Sequence, residues 1–466
     1  METKKRYQID MCSGPIVSKL LLFTGPLVLS SILQLLFNAA DVIVVGKFAG
    51  DNSLAAVGSV GPVTNLVINL FLGLSIGSNV LASRFYGAKN EKQFSNTLHT
   101  SMAISSILGI VLGAIGAVLS KQILIWMGSP AEVINLAAVY LCIYFMGIPA
   151  QAVYNFGSAI LRAVGDTKRP MYYLSFAGVI NVLLNLLLVI VFRMDVAGVA
   201  IATIISQYIS AALIVWCLVR EEGILKLHLN KLRIDGYILA KITQIGVPAS
   251  IQGVMFSLSN VIIQSSINSF GAVVVAGNSA AGNIEGFVYV SMNSFYQACM
   301  SFVSQNVGAK RFDRINSIVI KSELCVIAVG IVMGNIVYMF GYQLLGLYTD
   351  SPAVMTAGIE RMLYIVVPYC LCGMMDVMVG GIRGLGYAIT PMLVTLIGVC
   401  VMRLAWIFTF FQMPMFHEPK FLYLTYPATW SLTFGAHVVS YLIIRKKFDQ
   451  RVRIAEERIE RHKGDN

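Results

Sequence analysis

The chain has 466 residues, of which 57% are hydrophobic and only 12% are charged, and its mean hydropathy is +0.75. Soluble domains carry about 25% charged residues, so this composition excludes a set of soluble domains and indicates a polytopic membrane protein. The net charge is +11, but the basic residues are scattered through loops and form no compact basic domain, so nucleic-acid binding is not indicated.

Apolar runs of about 20 residues between polar breaks predict twelve membrane-spanning helices and an all-α fold. In chain order they cover 16–46, 54–82, 94–119, 133–156, 171–192, 196–219, 242–269, 273–303, 315–342, 354–380, 390–413 and 422–444. We therefore expect an N-terminal six-helix lobe (1–219), a cytoplasmic linker with a short amphipathic segment (220–241), and a C-terminal six-helix lobe (242–444). The last residues (445–466) alternate basic and acidic side chains and predict a charged helix at or just off the inner membrane surface.

Most of the 34 Lys and Arg fall into loops on one side of these helices, which by the positive-inside rule places both termini in the cytoplasm. The loops on the other side hold Lys47, Lys121, Arg193 and Lys420, while Arg361 and Arg403 lie within helices. The basic turns of the cytoplasmic side, such as 162–170 and its counterpart around Arg383, are explained by turn chemistry and topology alone.

The two halves of the chain repeat at an offset of 221–222 residues. Gly25-Pro26 aligns with Val247-Pro248, and Asn38 aligns with Asn260. Further matches join 86–89 to 307–310, 161–165 to 382–386, and Pro170 to Pro391. Because each repeat contains an even number of helices, both halves enter the membrane from the same side, and the repeat is parallel.

Asp41 lies in the apolar first segment, on the same helical face as Gln34 and Asn38. A carboxylate in the hydrocarbon zone costs about 2.5–3.5 kcal/mol, so it needs a partner or a function. The alternative is a carboxylate that reaches the headgroups, since Gly46 and Lys47 follow closely. We favour the functional interpretation.

Polar pairs one helical turn apart accompany this carboxylate in the same half: Asn181 with Asn185, and Thr203 with Gln207. Their oxygens suit a small hard cation, and a buried carboxylate could equally hold a proton. The alternative is hydrogen bonding between helices. The candidate cation-coupling residues are Asp41, Asn181, Asn185 and Thr203, of which Asp41, Asn181 and Thr203 would be the ligands if the ion is Na⁺.

A solute site between the halves is the second candidate. Glu285, Tyr289, Asn293 and Tyr296 fall near one helical face, and a carboxylate beside tyrosines suits an organic cation. The alternative is that Glu285 or Asp376 pairs with Arg403. The candidate solute-binding residues are Gln34, Asn38, Asn65, Asn155, Gln207, Gln252, Asn260, Glu285, Tyr289, Asn293 and Asp376.

Soluble-enzyme chemistry has no support in the sequence. No GxxxxGK[ST] loop occurs, so the chain carries no ATP motor of its own. The eight cysteines and five histidines show no disulfide framework or metal-ligand spacing, and no cofactor is expected.

Several of these stretches resemble the multidrug and toxic compound extrusion (MATE) transporters. Gly25-Pro26 followed by Gln34 to Gly46 resembles the family's first helix, and the paired motifs at 86–89, 161–166, 305–310 and 382–386 resemble its repeated turns. The likeness covers about residues 14–445 and looks closest to the bacterial branch related to the DNA-damage-inducible F proteins. It implies two six-helix lobes around a central cavity, a bacterial inner (cell) membrane location, and export of cationic amphipathic drugs driven by Na⁺ or H⁺.

Three residues of this chain match functional positions of the family, and two other positions carry different residues. Asp41 matches the family's first-helix acid, Asn181 the first polar position of the fifth helix, and Thr203 the sixth-helix hydroxyl. Many members carry a second carboxylate where this chain has Asn185, and the seventh-helix glutamate of another branch is replaced by Phe256.

The sequence therefore predicts a multidrug antiporter in which coupling centres on Asp41. The expected partners are small organic cations and the lipid bilayer, and the expected state is a monomer. The alternatives are a flippase of a lipid-linked or amphipathic substrate, and a channel or sensor without ion coupling. A flippase cavity should be markedly basic, and Arg403 is the clear mid-helix cation in this sequence.

Overall fold

The computed structural model describes residues 7–130 and 132–464 and is almost entirely α-helical. The first six residues of the predicted N-terminal lobe and the last two of the predicted tail lie outside these ranges. The N-terminal bundle consists of α1 (Ile16–Phe48), α2 (Asp51–Gly87), α3 (Glu91–Trp126), α4 (Ile134–Ala163), α5 (Lys168–Val191) and α6 (Asp195–Arg220).

The C-terminal bundle has the same number of long helices. These are α7 (Gly236–Asn268), α8 (Ala272–Gly308), α9 (Phe312–Met339), α10 (Pro352–Gly384), α11 (Ile389–Gln412) and α12 (Thr425–Gly464). Short helical turns at Gly341–Leu345 and Pro419–Tyr423 connect them. Among the described residues, all of these except α8 and α12 have the length and apolarity of membrane spans, and those two complete the twelve. The predicted all-α fold with two six-helix bundles is confirmed.

Capping residues explain where several helices begin. Asp235 accepts hydrogen bonds from the backbone N–H groups of Tyr237 and Ile238, so α7 begins at Gly236, six residues before the predicted span. Gly50 and Gly271 precede α2 and α8 with φ of 84° and 87°, which side-chain-bearing residues rarely adopt. The internal repeat of the two halves therefore extends to the backbone conformation of the turns that precede α2 and α8.

The charged tail is helical, as predicted, and it continues α12 without a break as far as Gly464. Its place at or just off the inner membrane surface stays a prediction. The linker forms two short 3₁₀ turns, Gly223–Leu225 and Leu229–Lys231, and it is anchored by buried Leu225 and Leu227.

The two bundles touch where α2 and α8 finish, at the end that carries the turns 88–90, 164–167, 221–235 and 309–311. We call it the basic end because Lys89, Lys168, Arg169, Lys310 and Arg311 lie in or directly after these turns. A Cβ on Gly87 would lie 2.0 Å from the Gln305 carbonyl oxygen, and one on Gly308 would lie 1.9 Å from that of Arg84. Glycine therefore permits backbone contact between the bundles. Farther along α2, a Cβ on Gly73 would meet Ser250 of α7 at 2.4 Å.

Polar contacts hold the same interface closed. The Ser301 hydroxyl donates to Asn79 Oδ1 at 3.0 Å, and the Ser250 hydroxyl donates to the Leu70 carbonyl oxygen at 2.8 Å. Toward the opposite end, Gly58 and Gly61 of α2 have no atom within 4 Å of an added Cβ. The bundles are therefore sealed at the basic end and looser at the other.

The segment 7–15, which we call the strap, crosses this seal. At the N-terminal bundle, Tyr86 donates a hydrogen bond to Gln8 at 3.1 Å, and Gly165 packs on the Ile9 backbone. At the C-terminal bundle, Met11 is fully buried and its carbonyl oxygen accepts a hydrogen bond from Asn306 at 2.9 Å. The strap therefore ties the two bundles together.

We expect Gly87→Val to open the basic end, because the added side chain would overlap the Gln305 backbone. Spin labels at Glu91 and Asp313, which are exposed on the first turns of α3 and α9, report this separation. The distance between them should lengthen in Gly87→Val. Gly58→Val, in the uncrowded half of α2, is the control and should leave it unchanged; an identical distance in both variants would contradict this account of the seal.

Candidate functional site

The four candidate coupling residues meet inside the N-terminal bundle. Asn185 Nδ2 donates to Asp41 Oδ1 and, at 3.4 Å, to Asn181 Oδ1. Asn181 Nδ2 donates to the Thr203 hydroxyl at 3.4 Å, and Thr203 also faces the Asp41 carboxylate. The structure thus brings α1, α5 and α6 together around one carboxylate, which we call the Asp41 cluster.

Local features of α5 place its two asparagines. Asn181 and Asn185 are one turn apart, and the helix widens into a π-helical stretch, Leu186–Val191, directly after Asn185. Such stretches are frequent at functional sites because they shift side chains around the helix. Gly178 allows the Phe37 ring of α1 to approach, since a Cβ there would lie 1.8 Å from it. The close approach brings Asp41 within reach of α5.

The carboxylate of Asp41 is not neutralised by a basic side chain. Among the residues that the structure describes, no Lys, Arg or His forms an ion pair with it. Asn185 Oδ1 is buried beside it and has no hydrogen-bond partner in the described part of the chain. A carboxylate, an unused amide oxygen and a hydroxyl are the ligands that hard monovalent cations prefer. The same carboxylate can take up a proton.

Tyrosines of α4 extend this site beyond the predicted residues. Tyr140 is buried and interacts electrostatically with Asp41, and its ring stacks on Tyr144 with 6.5 Å between the ring centroids. The i, i+4 spacing of these tyrosines was a visible signal, but in an apolar helix it does not distinguish packing from function.

In the C-terminal bundle, Glu285 of α8 is already paired. Arg361 of α10 donates to it at 2.5 Å, and the Tyr369 hydroxyl donates at 3.2 Å. Arg361 also donates to Asn278, whose amide donates to Gln264 at 3.0 Å. Glu285 is therefore neutralised, which weakens the case for it as a receptor for an organic cation.

The alternative in which Glu285 or Asp376 pairs with Arg403 is wrong among the described residues, because Glu285 pairs with Arg361. Arg403 is 2% exposed, donates to the Thr429 hydroxyl at 3.0 Å, and lies over the ring of Tyr426 at 4.1 Å. Arginine interacts favourably with aromatic faces, so this arrangement holds Arg403 without an acid, while its Nη2 is buried with no hydrogen-bond partner among the described residues. In the described residues Asp376 forms no ion pair either.

The prediction that Arg383 belongs to a basic cytoplasmic turn is also wrong, because this residue does not lie in a solvated loop. It is 4% exposed near the end of α10 and donates to the Tyr296 hydroxyl at 2.6 Å and to Gln252 Oε1 at 2.8 Å. The Gln252 oxygen is thus occupied by arginine. Asp376 and Tyr289 lie near each other in this region, and Asn293 accepts a hydrogen bond from Gln297 at 3.1 Å.

The remaining candidate solute-binding residues form two groups, one exposed to solvent or lipid and one partly buried. Those exposed on the interface helices α1, α2, α7 and α8 are Gln34, Asn38, Asn65, Asn260 and Tyr289. Asn155 on α4 and Gln207 on α6 are partly buried, and the Gln207 side-chain oxygen packs against Gly147 of α4. Gln207 thus points into its own bundle, away from a shared cavity.

Comparisons with known proteins agree with this architecture. The MatE family model matches residues 26–187 and again 248–409. The probable multidrug resistance protein YoeA of Bacillus subtilis is 29% identical over 385 residues, which cover 81% of this chain and 83% of that protein. The FAD transporter of Shewanella oneidensis is 24% identical and covers 84% of this chain and 86% of its own length.

A solved structure has the same fold. It is described as the outward-facing conformation of a multidrug resistance MATE family transporter, and it superimposes with a TM-score of 0.86 at 21% identity, covering 96% of this chain and 99% of that one. The relation to the DNA-damage-inducible F proteins stays a prediction. Because both halves of the chain match the family model, this protein is a membrane transporter of the MatE family and not an enzyme.

Proposed function

We propose that the protein is a secondary multidrug antiporter that exports cationic amphipathic compounds in exchange for Na⁺ or H⁺. The observation that carries the proposal is the Asp41 cluster: a carboxylate in a membrane helix, without a basic partner among the described residues, beside an unused Asn185 oxygen. Such a group is costly to keep in a membrane unless it binds something. The names of the relatives, which include multidrug resistance proteins, support the choice of cargo.

The proposed orientation decides from which side an ion can reach Asp41. With both termini in the cytoplasm, the basic end is the inner end, so the sealed arrangement is open to the outside. A cation or proton arriving from outside would then reach Asp41 while the inner end is closed. An ion drives such a cycle only by its different affinity for the two facing states.

Helix α1 is suited to carry the coupling between ion and solute. Its first half packs on the C-terminal bundle, where the rings of Phe23 and Phe302 meet edge to face with centroids 5.6 Å apart. Its last turns place Val44 and Val45 in the core of the N-terminal bundle. Pro26 lies inside this continuous helix, and proline removes one helical hydrogen bond. Ion binding at Asp41 would therefore alter how α1 bridges the bundles.

The solute would contact the exposed polar residues of α1, α2, α7 and α8, with Gln34, Asn38 and Tyr289 among them. Amide and phenol groups on an otherwise apolar surface accept varied ligands, and a tyrosine ring attracts a cation. We do not assign Glu285 the role of charge receptor, since Arg361 neutralises it.

The deciding experiment is efflux from proteoliposomes under separately imposed Na⁺ and pH gradients. We expect one gradient to drive accumulation of a lipophilic organic cation against its concentration. FAD serves as the anionic comparison because one relative is named an FAD transporter. A labelled lipid tests the flippase alternative. Movement of lipid, or of solute only down its own gradient, would contradict the proposal.

A further inference from the structure

A long groove runs along the surface of the C-terminal bundle between α9 and α12. Its volume is about 760 Å³, and Met378 of α10 contributes to its floor. The walls are mainly apolar and include Ile320, Leu324, Phe434 and Val438. Neither the Asp41 cluster nor the interface between the bundles shares these residues, so the proposed transport cycle does not use this groove.

One end of the groove is apolar and the other is basic. Along α12 the lining runs from Phe434 through Leu442 to Arg445, Lys446 and Arg453. Phe434 and Arg445 are separated by about 16 Å along the helix, at 1.5 Å per residue. The basic residues lie at the basic end of the molecule, where a spanning helix leaves the hydrocarbon. The groove therefore matches the polarity of a phospholipid, with a charged region for the headgroup at one end and an apolar region for an acyl chain along the rest.

The accessible charge at the mouth is positive. Arg445 is held by an ion pair with Asp449 and donates to the Phe312 carbonyl oxygen at 2.9 Å, which leaves Lys446 and Arg453 as further exposed cations of the lining. The other acid of the groove, Glu323, has both carboxylate oxygens buried without a hydrogen-bond partner among the described residues. Its charged atoms are thus turned away from the open space, and an anionic head is favoured over a cationic one.

We propose that this groove binds an anionic phospholipid of the adjacent leaflet, with its phosphate at Lys446 and Arg453 and an acyl chain against Ile320, Leu324, Phe434 and Val438. The inference uses charge complementarity and shape and does not depend on the transported solute. Basic residues near a bilayer surface attract anionic lipid, and a pocket between helices adds specificity.

The test compares lipid binding to the purified full-length protein by native mass spectrometry. Phosphatidylglycerol and phosphatidylcholine with the same acyl chains are supplied in equal amounts. We expect the wild-type protein to retain phosphatidylglycerol about 10- to 30-fold more strongly, and the variant Lys446→Gln/Arg453→Gln to lose that preference. The matched control is Lys447→Gln/Arg451→Gln, which removes two basic residues of the same helical turns that do not line the groove.

A second variant separates the chain site from general charge attraction. Val438→Trp fills the groove midway, so it should reduce retention of both lipids while leaving elution on size exclusion unchanged. The proposal is overturned if the wild type shows no preference for phosphatidylglycerol, if the control pair abolishes that preference as fully as the groove pair, or if a lipophilic organic cation displaces the bound lipid from the wild type but not from Val438→Trp.

Discussion

Asp41→Asn is expected to lower gradient-driven efflux strongly while leaving the protein folded and inserted. The asparagine has nearly the same shape and can still contact Asn185 and Thr203, but it carries no charge and takes up no proton. Without an ion bound there, the driving gradient no longer distinguishes the two facing states. We expect the initial rate of driven efflux to fall about 10- to 100-fold, the range of typical coupling between two ligands. Proteoliposome assays measure it directly.

Two comparisons make this result specific to the Asp41 cluster. Asp376→Asn removes a carboxylate of the other bundle that forms no ion pair among the described residues, and this variant should retain most of the driven efflux. Solute binding to detergent-solubilised Asp41→Asn, measured without a gradient, should stay near that of the wild type. If driven efflux persists in Asp41→Asn and is lost in Asp376→Asn, the coupling site lies in the C-terminal bundle.

Glu285→Gln should destabilise the protein strongly. The substitution removes the acid that pairs with Arg361, whose side chain is only 8% exposed, and leaves a buried cation without compensation. Breaking a buried pair from one side costs about 3–5 kcal/mol. The loss appears as a lower midpoint of thermal unfolding in detergent, followed by the fluorescence of a thiol-reactive dye.

The exposed pair of Arg311 and Asp313 is the matched control. Its side chains are 47% and 64% exposed, so solvent screens the pair and Asp313→Asn should leave the midpoint of thermal unfolding almost unchanged. Glu285→Gln combined with Arg361→Gln should recover part of the loss, because no unpaired charge remains. Equal effects of Glu285→Gln and Asp313→Asn would mean that the buried pair contributes no more than a surface pair.

The sequence alone predicted the membrane spans and the residues of the Asp41 cluster, because helical periodicity shows which side chains share a face. Helical periodicity places Asn181 above Asn185, and a lone carboxylate in an apolar run needs polar neighbours, so Asp41 could be assigned to this group before any coordinates. The unpaired oxygen of Asn185 could not be foreseen, since it depends on how α1 approaches α5 across Gly178.

The side-chain partners in the C-terminal bundle were less predictable, because several charged residues could pair with one another there. Two arginines, Arg361 and Arg403, stood within helices, and neither spacing nor composition shows which of them meets Glu285. The repeat placed Arg383 in a basic turn, yet its side chain folds back to Gln252 and Tyr296. Such partners are set by the packing of α7, α8 and α10, which a single sequence does not encode in any local pattern.

The strap has a consequence for how the protein is made. Met11 precedes Asn306 by 295 positions in the chain, yet its carbonyl oxygen accepts a hydrogen bond from the Asn306 side chain. The strap therefore has no partner on the C-terminal bundle until α8 has been synthesised and inserted. Docking of the strap on that bundle is thus a late step of biogenesis, although the strap is translated before α1.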